Sequence, residues 1–233
     1  MRAHPSPNFG ERRDGAAVDL IVLHYTVLDC AGSLERLCDP AAEVSAHYLI
    51  DRDGTLHALV DEAARAWHAG AGAWGGAGDV NSRSIGIELV NSGAEPFAEP
   101  QMKALEALLR DILDRHGLGS QSVIGHSDMA PDRKADPGPR FDWRRLALQG
   151  LAVWPDVPAA PFATRGDGGA EAHMAAFLAD LRAFGYPDAA PETLLTAFRL
   201  RFRPAGKGPL DATDCALAAG LRRFAVDVKP ADA

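Results

Sequence analysis

Two periods of apolar residues run through the first 150 positions. Val18-Asp19-Leu20-Ile21-Val22-Leu23 is nearly continuously apolar and β-branched. That pattern predicts a central strand buried on both faces, ending at His24 and followed by Tyr25-Thr26. Ala46-His47-Tyr48-Leu49-Ile50 and Thr55-Leu56-His57-Ala58-Leu59-Val60 flank Asp51-Arg52-Asp53-Gly54. They read as a hairpin, because the Asp-Gly step supplies the positive φ that a tight turn requires. Ser84 to Val90 alternates, with Ile85, Ile87 and Leu89 on one face and Gly86, Glu88 and Val90 on the other. Residues 69–80 hold Gly70, Gly72, Gly75, Gly76 and Gly78 and read as a long loop.

Helical spacing follows Pro100. Leu105, Leu108, Leu109, Ile112 and Leu113 form one apolar face, which Gly117 stops. A shorter helix, Leu34 to Cys38, is expected to be capped by Ser33 and ended by Pro40. Ser122-Val123-Ile124 reads as a short buried strand leading into a loop from Gly125 to Gly138, and residues 1–17 read as coil. Beyond residue 149 the composition shifts, with Pro155, Pro158, Pro161, Gly166 and Gly168 marking a linker. Three helical stripes follow: Met174, Phe177, Leu178, Leu181 and Phe184; then Leu194, Leu195, Phe198 and Phe202; then Leu217, Leu221 and Phe224. The expected fold class is α/β, a mixed central β-sheet flanked by helices and followed by a small three-helix domain. The expected boundaries are 1–148, a linker at 149–165, and 166–228.

Bulk properties narrow the function classes. A chain of 233 residues with 47% hydrophobic residues can bury a sizeable core, and no apolar run approaches the eighteen or so of a membrane-spanning helix. A formal net charge of -8 argues against a nucleic-acid partner. The first residues carry no apolar signal core, so the chain as written is expected in the cytoplasm, or in the periplasm or at the outer membrane if a leader has been removed. A monomer is expected. Three cysteines, Cys30, Cys38 and Cys215, with no Cys-x-x-Cys step, read as buried, inert thiols; Cys30 and Cys38 are the pair that export would let join.

The chemistry concentrates at strand ends. His24 and His126 each follow an apolar strand, and Asp136 lies in the loop after the second. Neighbouring strands lie ~4.8 Å apart, so two such ends can converge. Zinc hydrolases use three protein ligands and leave a fourth position open. No His-Glu-x-x-His helix makes the assignment local, so each histidine reads equally as a hydrogen-bonded core residue, and Asp128 and Asp132 stand beside Asp136 as carboxylate candidates. Glu88 among apolar neighbours is a candidate base with a raised pKa, or an edge-strand residue facing solvent. Lys134 is a candidate cation for a developing oxyanion, or a solvated loop lysine. Trp67, His68 and Trp74 offer a wall for a sugar or peptide, or core packing. A Cys–His nucleophile built on Cys30 or Cys38 lacks any signal for a lowered thiol pKa.

Several motifs occur together in a recognisable order: Val22-Leu23-His24-Tyr25-Thr26, Ser45-Ala46-His47-Tyr48-Leu49-Ile50, Ala66-Trp67-His68-Ala69-Gly70, Asn81 to Leu89, and 125–138. This order resembles the zinc-dependent N-acetylmuramoyl-L-alanine amidases of the AmpD type, relatives of phage lysozyme-amidases and peptidoglycan recognition proteins. Gln149 to Asp156 and Ala197 to Pro204 resemble the linker and the peptidoglycan-binding helices of the family's two-domain members. The resemblance implies zinc held by His24, His126 and Asp136, Glu88 as catalytic glutamate and Lys134 as the lysine stabilising the transition state. Tyr25 and His47, within its motifs, join Trp67, His68 and Trp74 as candidate substrate contacts. The implied activity is hydrolysis of the amide between N-acetylmuramic acid and L-alanine, in muropeptides or the intact sacculus. The alternative is a non-catalytic muropeptide sensor on the same fold. Phage members carry a tyrosine where Ala46 stands, which gives Glu88 more weight, and cytoplasmic members carry an arginine where Glu43 stands.

Overall fold

The computed structural model describes residues 1–155 and 169–226. Residues 156–165 of the expected linker, and 166–168 and 227–228 of the expected helical unit, lie outside the described residues. In chain order the strands are β1 (Arg2–Ala3), β2 (Phe9–Gly10), β3 (Leu20–Tyr25), β4 (Tyr48–Ile50), β5 (Leu56–Ala58), β6 (Arg65–Ala66), β7 (Ser84–Leu89) and β8 (Val123–Gly125). Six of them form a mixed sheet in the order β1-β5-β4-β7-β3-β8, and β2 pairs with β6 separately. β4, β7, β3 and β8 run parallel, while β4 and β5 form the antiparallel hairpin. The helices are α1 (Cys30–Cys38), α2 (Val80–Arg83), α3 (Glu99–His116), α4 (His126–Met129), α5 (Trp143–Ala147), α6 (Ala170–Phe184), α7 (Pro191–Phe202) and α8 (Ala212–Gly220). None is long and apolar enough to cross a membrane among the described residues.

Three expectations change. The first seventeen residues supply β1 and β2, and Arg12 donates to the carbonyls of Glu62 (2.7 Å) and Ser82 (2.8 Å), so tertiary pairing orders a stretch with no local signal. The first helix begins at Cys30, four residues early, because Asp29 accepts the amide of Gly32 and is the cap. Ser33 instead turns inward and donates to the Asp29 carbonyl at 2.6 Å. Cys30 and Cys38 stand eight residues apart on that helix, about 12 Å of rise, which is beyond disulfide reach. All three thiols are free and half-buried rather than buried.

β3 lies between β7 and β8, and its alternation assigns the two faces of the sheet. Ile21 and Leu23, with Ile85, Ile87 and Leu89 of β7, pack against the apolar stripe of α3. That helix starts with Pro100 in its first turn and ends where Gly117 takes a left-handed conformation (φ 63°). Leu105, Leu109 and Ile112 are fully buried in this layer, each contributing about 1.5–3 kcal/mol.

Leu20, Val22 and Ile124 point the other way and share one core with Phe177, Leu181, Phe198 and Leu221 from the C-terminal helices. A charged group crosses that apolar layer. Arg201 of α7, 2% exposed, donates to Asp128 Oδ2 at 2.5 Å and to the Val123 carbonyl at 3.2 Å, with its guanidinium 4.1 Å over the Trp143 ring. Asp128 also accepts from Tyr186 Oη (2.6 Å) and from the Gly125 amide (2.8 Å).

Removing one member of a buried ion pair strands the other charge in a low dielectric. Arg201→Met is expected to lower unfolding free energy by about 3–5 kcal/mol. Arg182→Ala, which breaks an exposed pair with Asp188, is expected to cost below about 1 kcal/mol. Equilibrium denaturation in urea measures both.

Candidate functional site

The carboxyl ends of β3, β7 and β8 meet at one edge of the sheet, the usual place for a ligand beside parallel strands. His24 is the penultimate residue of β3 and pairs in register with Glu88 of β7, which β3 and β4 flank, so Glu88 is on an interior strand. His126 opens α4 directly after β8. The following loop brings back Asp136, whose carbonyl accepts the amide of Ser127 at 2.9 Å.

Three side-chain atoms converge there. His24 Nδ1 lies 2.9 Å from His126 Nδ1 and 2.9 Å from Asp136 Oδ2, and His126 Nδ1 lies 3.0 Å from Asp136 Oδ2. All three residues are buried, and among the described residues they form the one cluster of three or more potential metal ligands. His126 Nε2 lies 2.9 Å from the Ala69 carbonyl oxygen and can pair with it only as a donor. In the neutral ring that leaves Nδ1 with a lone pair facing the Asp136 carboxylate oxygen, which also only accepts. Two acceptors at that separation are joined either by a shared proton or by a bound cation, and the three-residue set could hold a metal ion. Two imidazole nitrogens and one carboxylate oxygen, with the cavity on the open side, suit zinc. Burial, aided by the neighbouring His126, pushes the His24 pKa down to about 4, so its ring is neutral at neutral pH, the form that ligates a metal.

A cavity of about 540 Å³ opens onto this triad. Glu88, Lys134, Tyr25, Trp67 and His68 line it. Glu88 Oε2 is buried without a hydrogen-bond partner, and burial, then the charge of Asp136, push its carboxyl up to about 8. Lys134 is exposed on the cavity wall and opposes that rise.

Two expected substrate contacts are absent from the lining. Trp74 is 1% exposed and packs on Phe184 and Tyr186 at ring distances of 5.4 and 5.3 Å, drawn into the core under the C-terminal helices. His47 is fully buried. Its Nδ1 accepts the Gly86 amide at 2.9 Å and its Nε2 donates to the Ala64 carbonyl at 3.2 Å, so it staples the sheet. Asp128 is held by Arg201 and Tyr186, which removes it as a ligand, and Asp132 is exposed outside the cluster. Sequence reasoning passed over Arg36, Val27 and Leu28, which also line the cavity. Val27 holds a left-handed conformation (φ 65°), unusual for a β-branched residue, with its amide bonded to the Asn91 carbonyl at 3.0 Å. Asp29, a capping residue before Cys30, was the overlooked signal that α1 begins early and carries Arg36 in its last turn.

The raised Glu88 pKa has a consequence for the metal-free protein. Between its ordinary value of 4.5 and about 8 the folded state holds a proton that the unfolded state has lost, so stability falls as pH rises through that window. Glu88→Gln is expected to match wild type near pH 4.5 and to melt higher above pH 8. Calorimetric melting of the metal-free proteins across this range measures the difference, and equal melting at pH 8.5 would contradict it.

Comparison with known proteins identifies relatives of the chain. Residues 14–139 match the family model described as N-acetylmuramoyl-L-alanine amidase. The chain is 38% identical over 228 residues to the N-acetylmuramoyl-L-alanine amidase AmiD of Escherichia coli strain K12, covering 88% of this chain and 82% of that one. The solved complex of E. coli AmiD with the substrate anhydro-N-acetylmuramic acid-L-Ala-D-γ-Glu-L-Lys superposes with a TM-score of 0.77 at 35% identity, covering 92% of this chain and 96% of that one. AmpDh3 from Pseudomonas aeruginosa, in complex with anhydromuramic pentapeptide, superposes with a TM-score of 0.78 at 33% identity, covering 94% of each chain.

Proposed function

The chain belongs to the N-acetylmuramoyl-L-alanine amidase family, and we propose from that premise that it is a zinc-dependent hydrolase cleaving the amide between N-acetylmuramic acid and L-alanine of muropeptides. The observation that carries this reading is the convergence of His24 Nδ1, His126 Nδ1 and Asp136 Oδ2 beside the partnerless Glu88 carboxylate. The ligand-bound structures of AmiD and AmpDh3, both with anhydromuropeptides, support a substrate of that class.

His24, His126 and Asp136 are the proposed zinc ligands. A zinc ion held there supplies Lewis acidity toward the scissile carbonyl and lowers the pKa of water into the neutral range. Glu88 is proposed to take the proton of the attacking water and to return it to the departing amine nitrogen; its elevated proton affinity suits both transfers. Lys134, exposed on the same wall, is proposed to place its ammonium against the charge developing on the carbonyl oxygen. Tyr25 and Trp67 offer the cavity a phenol and an indole for sugar or peptide contact. Residues 1–148 are the proposed catalytic domain. Helices α6–α8 are proposed as an accessory unit for peptidoglycan; among the described residues they hold no second cluster of potential metal ligands.

Purified protein is expected to bind one zinc per chain, and Asp136→Ala to lose it, by elemental analysis. Glu88→Ala is expected to keep zinc and lose about 10²–10⁴-fold in turnover. Mass spectrometry of products from intact and anhydro muropeptides reads the cleaved bond and the substrate preference. Full activity in zinc-loaded Glu88→Ala removes Glu88 as the base, and a wild type that takes up no zinc favours the sensor reading.

A further inference from the structure

The proton on His24 is settled by groups behind it. Ser84, fully buried at the start of β7, donates its hydroxyl hydrogen to the Val80 carbonyl at 2.6 Å. Its oxygen then has only lone pairs to offer His68 Nε2, 3.1 Å away, so His68 carries its proton on Nε2. A neutral imidazole has one such proton, which leaves His68 Nδ1 as an acceptor. Facing that atom at 3.1 Å is His24 Nε2, which pairs with it only as a donor. His24 Nδ1 is left bare, and it is the atom aimed at His126 and Asp136.

We propose that Ser84 and His68 form a relay, anchored on the Val80 carbonyl, that sets the His24 tautomer and holds its ring in the orientation a metal needs. This rests on the proposed zinc site and makes His68 and Ser84 positioning residues. Both ring nitrogens of His68 are engaged by protein groups, so it has no free polar atom for substrate, although it lines the cavity. The strand is shaped to seat it. A Cβ on Gly86 would lie 2.4 Å from His68 Cγ and 2.7 Å from its Nδ1, so the ring rests where β7 has no side chain. Ser84, Gly86 and Glu88 alternate along one face of β7 and provide in turn the anchor, the seat and the carboxylate. Asn81 Oδ1 accepts the amides of His68 (3.0 Å) and Ala69 (2.8 Å), fixing the loop that carries the ring. Ala69 in turn offers the carbonyl that orients His126, so one short segment sets both histidines.

The test uses the full chain and zinc itself. Long-range proton–nitrogen NMR of the histidine rings in metal-free wild type is expected to show His68 and His24 both protonated on Nε2. Zinc affinity, measured by competition with a chelator, is expected to weaken about 10–100-fold in His68→Leu, the range seen when a group orienting a metal ligand is removed. His68→Asn, whose amide oxygen can stand near the lost Nδ1, is expected to recover much of that loss. Ser84→Ala is expected to weaken zinc less and to give His68 mixed tautomers. A wild-type spectrum with His68 protonated on Nδ1, which needs no variant to fold, overturns the relay; so does unchanged zinc affinity in a folded His68→Leu. A wild type that binds no zinc would instead overturn the metal reading, while the metal-free spectra still decide the tautomers.

Discussion

The parallel pairing of β3 between β7 and β8 is the constraint on which everything else depends. Backbone hydrogen bonds hold Leu20 opposite Ser84 and Leu23 opposite both Ile87 and Gly125. That register places His24 beside Glu88 and brings the end of β8, with His126, alongside. Because side chains alternate, a slip of one residue would turn His24 and Glu88 into the α3 layer and send Leu23 and Ile87 to the cavity. Burial on both faces prevents the slip. Ile21, Leu23, Ile85 and Ile87 are fully covered by α3 on one side, and Leu20 and Val22 lie under the C-terminal helices on the other.

The same face of β3 thus does two jobs along its length. Leu20 and Val22 take part in the apolar layer shared with α6, α7 and α8, and two residues further on His24 faces the cavity. The helical unit reaches this region through Arg201, whose bonds to Asp128 and the Val123 carbonyl brace both ends of β8 and the turn that starts α4. An arginine in an apolar layer is costly unless every charge is met. Here the carboxylate of Asp128, a carbonyl and an aromatic face meet it, although its Nε has no partner. The result couples the strand that leads into His126 to the packing of a helix more than seventy residues later.

Electrostatically the site is a set of unmet acceptors. His126 is turned by the Ala69 carbonyl so that its lone pair faces Asp136, and Glu88 is left with a buried, partnerless oxygen. A dication between His24, His126 and Asp136 would convert their mutual repulsion into coordination and also ease ionisation of Glu88. The arrangement gives up stability in the metal-free chain for a geometry in which clustered ligand atoms and a carboxyl of raised pKa stand close together.

Strands β3, β4, β5, β7 and β8, helix α3 and the three C-terminal helices were legible in the sequence because each buries an apolar run or face, and such patterning survives in one dimension. His24 and His126 were legible as strand-end positions and Glu88 as a carboxylate within an apolar strand, and the family resemblance carried by the order of motifs selected Asp136 over Asp128 and Asp132. The start of α1 could have been read from Asp29. The order of the strands, and with it the meeting of His24 and His126 across a hundred residues, depends on lateral hydrogen bonds that leave no periodic trace. The partners of His47, His68, Trp74 and Asp128 were decided the same way. A histidine, a tryptophan or an aspartate has one identity in the chain, yet whether it meets substrate, backbone or a buried arginine depends on partners supplied from elsewhere. Only the packed tertiary structure brings those partners within a hydrogen bond's reach.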